Sequence, residues 1–254
     1  MDSWQDLTPT PSAYGWITLF GLLVGGWFWS RRWKSDEGSF AVFVGAVCGA
    51  FLGAKLMFLI AEGWMVIGQE KWLLQWLVGK SIVGALPGGY AGVEITKRLI
   101  GLRKATGDWF AVGVPLSIAV GRVGCLLYGC CPGKICEPSR LSLTDAHGVE
   151  RWPAVPLELG FNALFVLAIL PIAIRKGGRG QLFHLYLICY GVFRFWHEFH
   201  RDTPKWFGEF SGYQAGALAL IILGTARGIA RSRENLHSSE NHPPTEGAGS
   251  AEEN

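Results

Sequence analysis

The sequence predicts an all-α integral membrane protein with seven transmembrane helices, its N-terminus outside and its C-terminus in the cytoplasm. Three observations carry that prediction. Half of the 254 residues are hydrophobic, 12 are tryptophan, 35 are glycine and only 17% are charged, a mix suited to a chain dissolved in lipid rather than to a soluble enzyme. Apolar stretches fall at 14–30, 40–61, 80–96, 109–131, 154–174, 181–199 and 211–229, and about 20 helical residues cross the hydrocarbon. Four basic runs, "RRWKSDEG", "KRLIGLRK", "RKGGRG" and "RGIARSR", alternate with the other loops and carry 13 of the 23 lysines and arginines. By the positive-inside rule these runs face the cytoplasm, and an odd number of crossings then leaves the N-terminus outside.

Taken in order, residues 1–13 form an acidic periplasmic segment without a basic n-region, so the first apolar stretch is expected to remain as an anchor. Residues 14–230 make up the seven-helix transmembrane domain. On its outer side, "WMVIGQEKWLLQWLVG" has the tryptophan content of an interfacial helix, followed later by the cysteine-containing loop 132–153 and "RDTPKWFGEFSG". The glycines of "GAVCGAFLG" and "GALPGGYAG" have the small-x-x-x-small spacing that lets membrane helices approach. Pro87, inside the third stretch, predicts a break or kink. Residues 231–254 are polar and read as a disordered cytoplasmic tail. No internal repeat supports an inverted-repeat transporter.

Charges within the apolar stretches carry the functional reading. Lys55, Arg122 and Arg194 lie inside predicted crossings and Arg201 at the outer edge of the sixth. An arginine keeps its proton at any relevant pH, so at bilayer depth it must be paired, hydrated or facing a polar cavity. Lys55 fits either an ion pair with a buried acid or a ligand role. In "YLICYGVFRFWHEFHRDTP", Tyr190, Arg194, His197 or Glu198, and Arg201 recur at steps of three and four, along one helical face. Leu185, Ile188, Val192, Phe195 and Phe199 form the apolar face opposite. Arg194 and Glu198 can pair at i,i+4, as glue between helices or as part of a site. The cations outnumber the obvious buried acids, Glu158 and Glu198, once Glu94 is placed near the cytoplasmic edge. That surplus calls for an anion, and the guanidinium fork matches phosphate oxygens two at a time. A phospholipid headgroup is the phosphate most abundant at that depth.

Cys125, Cys130, Cys131 and Cys136 are spaced C-x4-C-C-x4-C, without the paired C-x2-C of structural zinc sites. The spacing therefore predicts small packing residues and no metal, with a disulfide involving Cys136 left open.

The chain resembles the prolipoprotein diacylglyceryl transferase family from Tyr14 to Pro204. "AYGWITLFGLL" is similar to that family's opening Tyr-Gly helix, "GAKLMFLI" to its Gly-Ala-Arg-Leu segment with Lys55 in place of arginine, and "GRVGCLLYGCCPG" to its Gly-Arg-x-Gly motif. "WPAVPLELGFNALF" resembles its Pro-x-x-x-x-Glu helix start, and "GQLFHLYLICYGVFRFWHEFHRDTP" its Tyr-Gly-x-x-Arg-Phe-x-x-Glu-Phe-x-Arg segment. The resemblance implies a multi-pass enzyme of the bacterial plasma (inner) membrane that moves a diacylglyceryl group from phosphatidylglycerol to the lipobox cysteine of exported prolipoproteins. It implies catalytic roles for Arg122, Arg194 and Glu198, with Tyr14, Lys55, Gly133, Glu158 and Arg201 lining the substrate site. The expected partners are phosphatidylglycerol, prolipoproteins and membrane lipids; no nucleic acid, cofactor or metal is expected. Val83 stands where the family's His-Gly-Gly-Leu stretch carries histidine, and Cys125 and Cys130 replace polar residues of the core motif. The alternative is a phospholipid-binding member of the family that performs no transfer or uses a different acceptor. If a protein base exists, Glu198, His197 and His200 are the candidates.

Overall fold

The computed structural model describes residues 38–241 apart from 69, 71, 103–105, 146, 176, 177 and 179, together with helical residues 15, 16, 19, 21 and 23. Tyr14 and most of the first predicted crossing lie outside the described residues. Helix α1 (Ser39–Phe58) runs through an almost uninterrupted apolar sequence and continues as a π-helical turn, Leu59–Gly63. A short helix α2 (Trp72–Val78) follows, then α3 (Ile82–Leu99), α4 (Gly107–Tyr128), α5 (Ala154–Ile174), α6 (Leu182–His197) and α7 (Gly212–Asn241). The one small sheet among the described residues pairs β1 (Leu143–Thr144) antiparallel with β2 (Glu150–Arg151).

Among the described residues, four helices are long and apolar enough to cross a membrane: Ser39–Gly63, Gly107–Leu127, Ala154–Ile174 and Gly212–Glu234. Phe51, Leu52, Leu56, Leu164, Leu167 and Ile222 stand exposed on them, as a lipid-facing surface requires. This is an all-helical membrane protein. Of the third and sixth predicted crossings, α3 carries Glu94, Lys97 and Arg98, which lower its hydropathy, and α6 is 16 residues long, its regular helix ending at His197.

The tightest helix pair explains the glycine spacing. Gly45, Gly49 and Gly53 on α1 oppose Gly92, Gly88 and Gly84 on α3, and a Cβ built on Gly88 would sit 2.3 Å from the Gly49 carbonyl oxygen. Only hydrogen at these positions lets the two backbones touch, and dispersion across that contact is the main attraction available in lipid. The same contact accounts for a departure from expectation: α3 runs unbroken through Pro87. Gly84 and Gly88, on either side of the proline, are both seated on α1, and neighbouring helices hold proline-containing helices in membranes.

Helix ends are set by local chemistry. Asp108, in the first turn of α4, accepts hydrogen bonds from the amides of Gly180 (2.9 Å) and Leu182 (3.2 Å), tying the start of α6 to α4. Helix α4 ends at Gly129, φ 69°, with the Cys130 amide donating to the Cys125 carbonyl (3.2 Å) and the Gly129 amide to that of Leu126 (3.4 Å). That is a Schellman closure, for which glycine supplies the left-handed residue. Helix α7 extends to Asn241, past the composition boundary at 230, with an Arg231–Glu234 pair (2.9 Å) on its surface. Residues 242–254 lie outside the described residues.

Gly88→Val forces a side chain into the Gly49 carbonyl and should cost about 1–3 kcal/mol of stability. Gly113→Ala, with open space at its Cβ position, should leave the unfolding midpoint of the detergent-solubilised protein unchanged. Thermal melts of both variants check this, and equal midpoints would contradict the packing.

Candidate functional site

Helix ends from four directions converge on five buried charged side chains. Arg122 comes from the last two turns of α4, Glu158 from the first turns of α5, Arg194 from the end of α6, Glu198 from the 3-10 turn Glu198–His200, and Arg201 from the extended residue after it. Pro156 lies in the first turn of α5, where its missing N–H costs no helical bond. All five side chains are buried, the two carboxylates completely.

Each carboxylate holds one arginine closely. Arg122 Nη2 lies 2.6 Å from Glu158 Oε2, and Arg194 Nη1 lies 2.6 Å from Glu198 Oε2, the i,i+4 pair expected from the sequence. Arg201 straddles both acids, with Nη1 3.7 Å from Glu158 and Nε 3.9 Å from Glu198. Neutral donors complete the acids: Tyr190 Oη donates to Glu158 Oε1 (2.7 Å), and Thr203 Oγ1 (2.5 Å) and Ser211 Oγ (3.0 Å) donate to Glu198 Oε1. Behind them Asn162 Nδ2 donates to the Glu158 carbonyl (2.8 Å) and Tyr186 Oη to Asn162 Oδ1 (2.7 Å), fixing the amide. Three guanidiniums thus share two carboxylates within 4 Å, while Glu62 acts on Arg201 from farther off. Arg122 Nε, Arg201 Nε and Arg201 Nη1 make no hydrogen bond to a described residue, the two Arg201 atoms reaching a carboxylate only at ion-pair distance. Buried donors on permanent cations are costly to leave unmet, so the geometry is that of a site completed by an anion.

The loops that follow α4 and α6 roof this cluster. Gly133 forms a β-bridge with Arg201, and the Lys134 amide donates to the His200 carbonyl (2.8 Å). The Trp152 amide donates to the Lys134 carbonyl (2.9 Å), and a Cβ on Gly133 would lie 2.2 Å from the Trp152 carbonyl oxygen. Glycine is therefore required where this strand pins Arg201. Trp152 stacks on His200 at 4.6 Å. Arg151 bonds the Gly133 carbonyl (3.2 Å) and Asp145 (2.6 Å), and Asp145 accepts the amides of His147 and Val149 to close the β1–β2 turn. The Arg151 hydrogen bond holds the Asp145 carboxyl at about 2, against 3.8 ordinarily. At the floor, Lys205 Nζ donates to the Glu198 carbonyl (3.1 Å) and Thr203 Oγ1 (3.3 Å), and burial lowers its pKa.

The structure thus brings Arg122, Glu158, Arg194, Glu198 and Arg201 together, with Gly133 against them through its backbone. It places Lys55 elsewhere. The Lys55 ammonium donates to the carbonyls of Trp76 and Leu77 (2.6 Å for the latter), capping the C-terminus of α2, where a cation is favoured. That short helix presents Leu73, Leu74 and Leu77 outward, as the tryptophan-rich segment predicts. Tyr14 lies outside the described residues. Glu198 is occupied by three donors, and His200 is exposed and stacked. His197 is buried, stacked 4.9 Å from Phe193, with neither ring nitrogen bonded to a described residue. Val83 is buried against Gly216 and contributes nothing polar.

Residues that support the site escaped the sequence analysis, Ser211, Gln214 and Glu62 among them. Ser211-x-x-Gln214 begins α7 as half a capping box: Gln214 Oε1 accepts the Ser211 amide (2.9 Å), while the Ser211 hydroxyl turns to Glu198 instead of its own helix. Glu62, in the π-helical turn, bonds the Tyr213 hydroxyl and faces Glu198, Arg201 and Cys131. The serine-to-glutamine spacing was a readable signal; nothing local in the sequence marks the π turn.

These features define a polytopic helical membrane protein with a buried, anion-seeking arginine site beneath a loop roof. A family model described as prolipoprotein diacylglyceryl transferase matches residues 9–229, and the chain belongs to that family. It is similar to the phosphatidylglycerol-prolipoprotein diacylglyceryl transferase of Aeromonas salmonicida, 28% identical over 232 residues that cover 83% of this chain and 82% of that protein. The transferase so named from Photobacterium profundum is 29% identical, covering 83% and 85%, and that from Clostridium tetani 28%, covering 76% and 82%.

Because the Asp145 pKa is depressed, the stabilisation from its pair with Arg151 is present above about pH 3.8 and lost as pH falls through about 2. Amides of 147–151, followed by hydrogen exchange corrected for intrinsic rate, should stay protected at pH 3.5 and open near pH 2. Asp145→Asn should open them at both.

Proposed function

We propose that this chain transfers the diacylglyceryl group of phosphatidylglycerol to the cysteine thiol of exported prolipoproteins, the first step of bacterial lipoprotein maturation. The observation that carries the reading is the set of buried guanidinium N–H groups on Arg122 and Arg201 that make no hydrogen bond to a described residue, in a chain of this family. Arg122, Arg194 and Arg201 hold the lipid phosphate, with Glu158 and Glu198 fixing their orientation. The acceptor thiolate attacks the glyceryl carbon that bears the phosphate ester, the C–S bond forms, and the C–O bond breaks. The electron pair goes to the phosphate oxygen, and glycerol phosphate leaves. Charge grows on that phosphate in the transition state, where preorganised donors in a dry site act most strongly. Thiolate rather than thiol is the nucleophile, and the surrounding positive charge favours it.

The topology proposed with it has seven crossings in residues 14–230, flanked by an outer segment 1–13 and a cytoplasmic tail 231–254, in the bacterial inner membrane. Its support is the separation of charge along the bundle. The contacts Arg227–Glu94 (3.3 Å), Asp108–Gly180 and Gln181–Ser232 (2.8 Å) gather near the basic loops at one end, while the arginine site lies at the other helix ends. Substrates exported across the membrane then meet the site from outside.

A second reading, lipid binding without transfer, draws on Val83, whose buried isopropyl group cannot accept a proton. Purified protein incubated with headgroup-labelled phosphatidylglycerol and a lipobox peptide separates the two: released glycerol phosphate and a heavier peptide support transfer, and bound but unconsumed lipid supports the second reading. Arg122→Ala and Arg194→Ala should each lower transfer at least about 100-fold, the typical effect of losing one preorganised donor. Wild-type rates in both would contradict the assignment.

A further inference from the structure

The chain carries a second chemical cluster directly beside the arginines. The Sγ atoms of Cys125, Cys130 and Cys131 all lie within 4.8 Å of one another, and all three thiols are free. Helix termination puts them there. The Schellman closure at Gly129 brings the Cys130 amide onto the Cys125 carbonyl, so a C-x4-C spacing, unpromising in a straight helix, sets the two thiols side by side. Cys131 has φ 63°, the one positive φ at a non-glycine residue among the described residues. Adjacent side chains on an extended backbone point to opposite sides; the left-handed turn instead sends Cys131 back to the side of its neighbours. Such a conformation costs on the order of 1 kcal/mol or more.

Arg122 Nη1 lies 3.8 Å from Cys125 Sγ. A set made of sulfur alone suits zinc or cuprous copper and disfavours magnesium and calcium. Zinc binds sulfur at about 2.3 Å, which in tetrahedral geometry puts the sulfurs about 3.8 Å apart. The observed cluster needs to close by at most about an ångström, within reach of χ1 rotation. Three thiolates and one zinc ion leave a single negative charge, which the neighbouring guanidiniums offset.

We propose that Cys125, Cys130 and Cys131 bind one zinc ion whose fourth position, facing the arginine site, takes the acceptor thiol. Three protein ligands with an open fourth position is the arrangement of catalytic rather than structural zinc, and a thiol that coordinates zinc is deprotonated outright. The inference rests on the transfer reading above and deepens it. On binding, the acceptor S–H bond breaks and its proton passes to the Glu62 carboxylate, which faces Cys131 and is hydrogen-bonded by Tyr213. The zinc-bound sulfur then donates its electron pair to the glyceryl carbon, the carbon–oxygen bond breaks toward the phosphate, and the thioether product, a weaker ligand, dissociates. No oxidant or reductant is involved. Such a site would supply the deprotonation that Val83 cannot.

The test is metal analysis of the full-length protein purified in detergent under reducing conditions, without added metal. About one zinc per chain is expected, falling at least five-fold in Cys125→Ser, Cys130→Ser and Cys131→Ser and unchanged in Cys48→Ser. Chelation should lower diacylglyceryl transfer at least ten-fold, with recovery on adding zinc but not magnesium. Zinc-free wild-type protein, copper in place of zinc, or full transfer after zinc removal would each overturn the proposal. Zinc held by the three thiols with no transfer to any thiol peptide would defeat the transferase reading instead and leave the metal site standing.

Discussion

Two carboxylates that never reach water, Glu158 and Glu198, are the interaction on which the rest of this structure depends. Each gathers helix ends from different parts of the chain: Glu158 joins α5 to α4 through Arg122 and to α6 through Tyr190, and Glu198 joins α6 to the start of α7 through Ser211. Buried ion pairs are poor sources of net stability, because desolvation consumes most of the Coulomb gain. A bundle built only to be stable would place leucines there. Three arginines on two acids are better understood as an incomplete electrostatic arrangement, held rigid by its neighbours so that an arriving anion finishes it.

The remaining architecture makes that rigidity possible. Glycine-to-glycine contact between α1 and α3 brings two backbones together without side-chain glue, leaving the polar groups of the bundle free to serve the site. At the site end, helices finish in ways that release side chains or donors. Gly129 closes α4, a 3-10 turn and an extended residue end α6 so that Arg201 pairs with Gly133, and α7 gives up its serine cap to Glu198. Binding sites in membrane proteins form where regular helices stop, since irregular backbone is tolerated there beside protein or a polar cavity.

How much of this was legible depended on distance along the chain. The Arg194–Glu198 pair is an i,i+4 relation and could be read directly; so could the apolar stretches that became α1, α4, α5 and α7. The charge surplus was legible as a count, and it singled out Arg122, Arg194 and Arg201 before their partners were known. The pairing of Arg122 with Glu158 was not, because it is made by tertiary packing between residues 36 positions apart. Lys55 looked like part of the same surplus, yet its partners are backbone carbonyls of α2, an option that no charge count includes. Pro87 obeyed local propensity less than the helix packed against it. The cysteine cluster hid for a related reason: spacing rules assume a regular backbone, and two left-handed residues, Gly129 and Cys131 with Cys130 between them, redirect the thiols.

The central claim is that the uncompensated guanidinium donors select a lipid by its phosphate. Native mass spectrometry of the solubilised protein, presented with equal amounts of phosphatidylglycerol and uncharged diacylglycerol, measures that selection directly. The wild type should retain phosphatidylglycerol at least ten-fold over diacylglycerol, and Arg201→Gln, which removes the shared cation, should lose most of the preference. Equal retention of the two lipids by the wild type, or an undiminished preference in Arg201→Gln, would contradict the account.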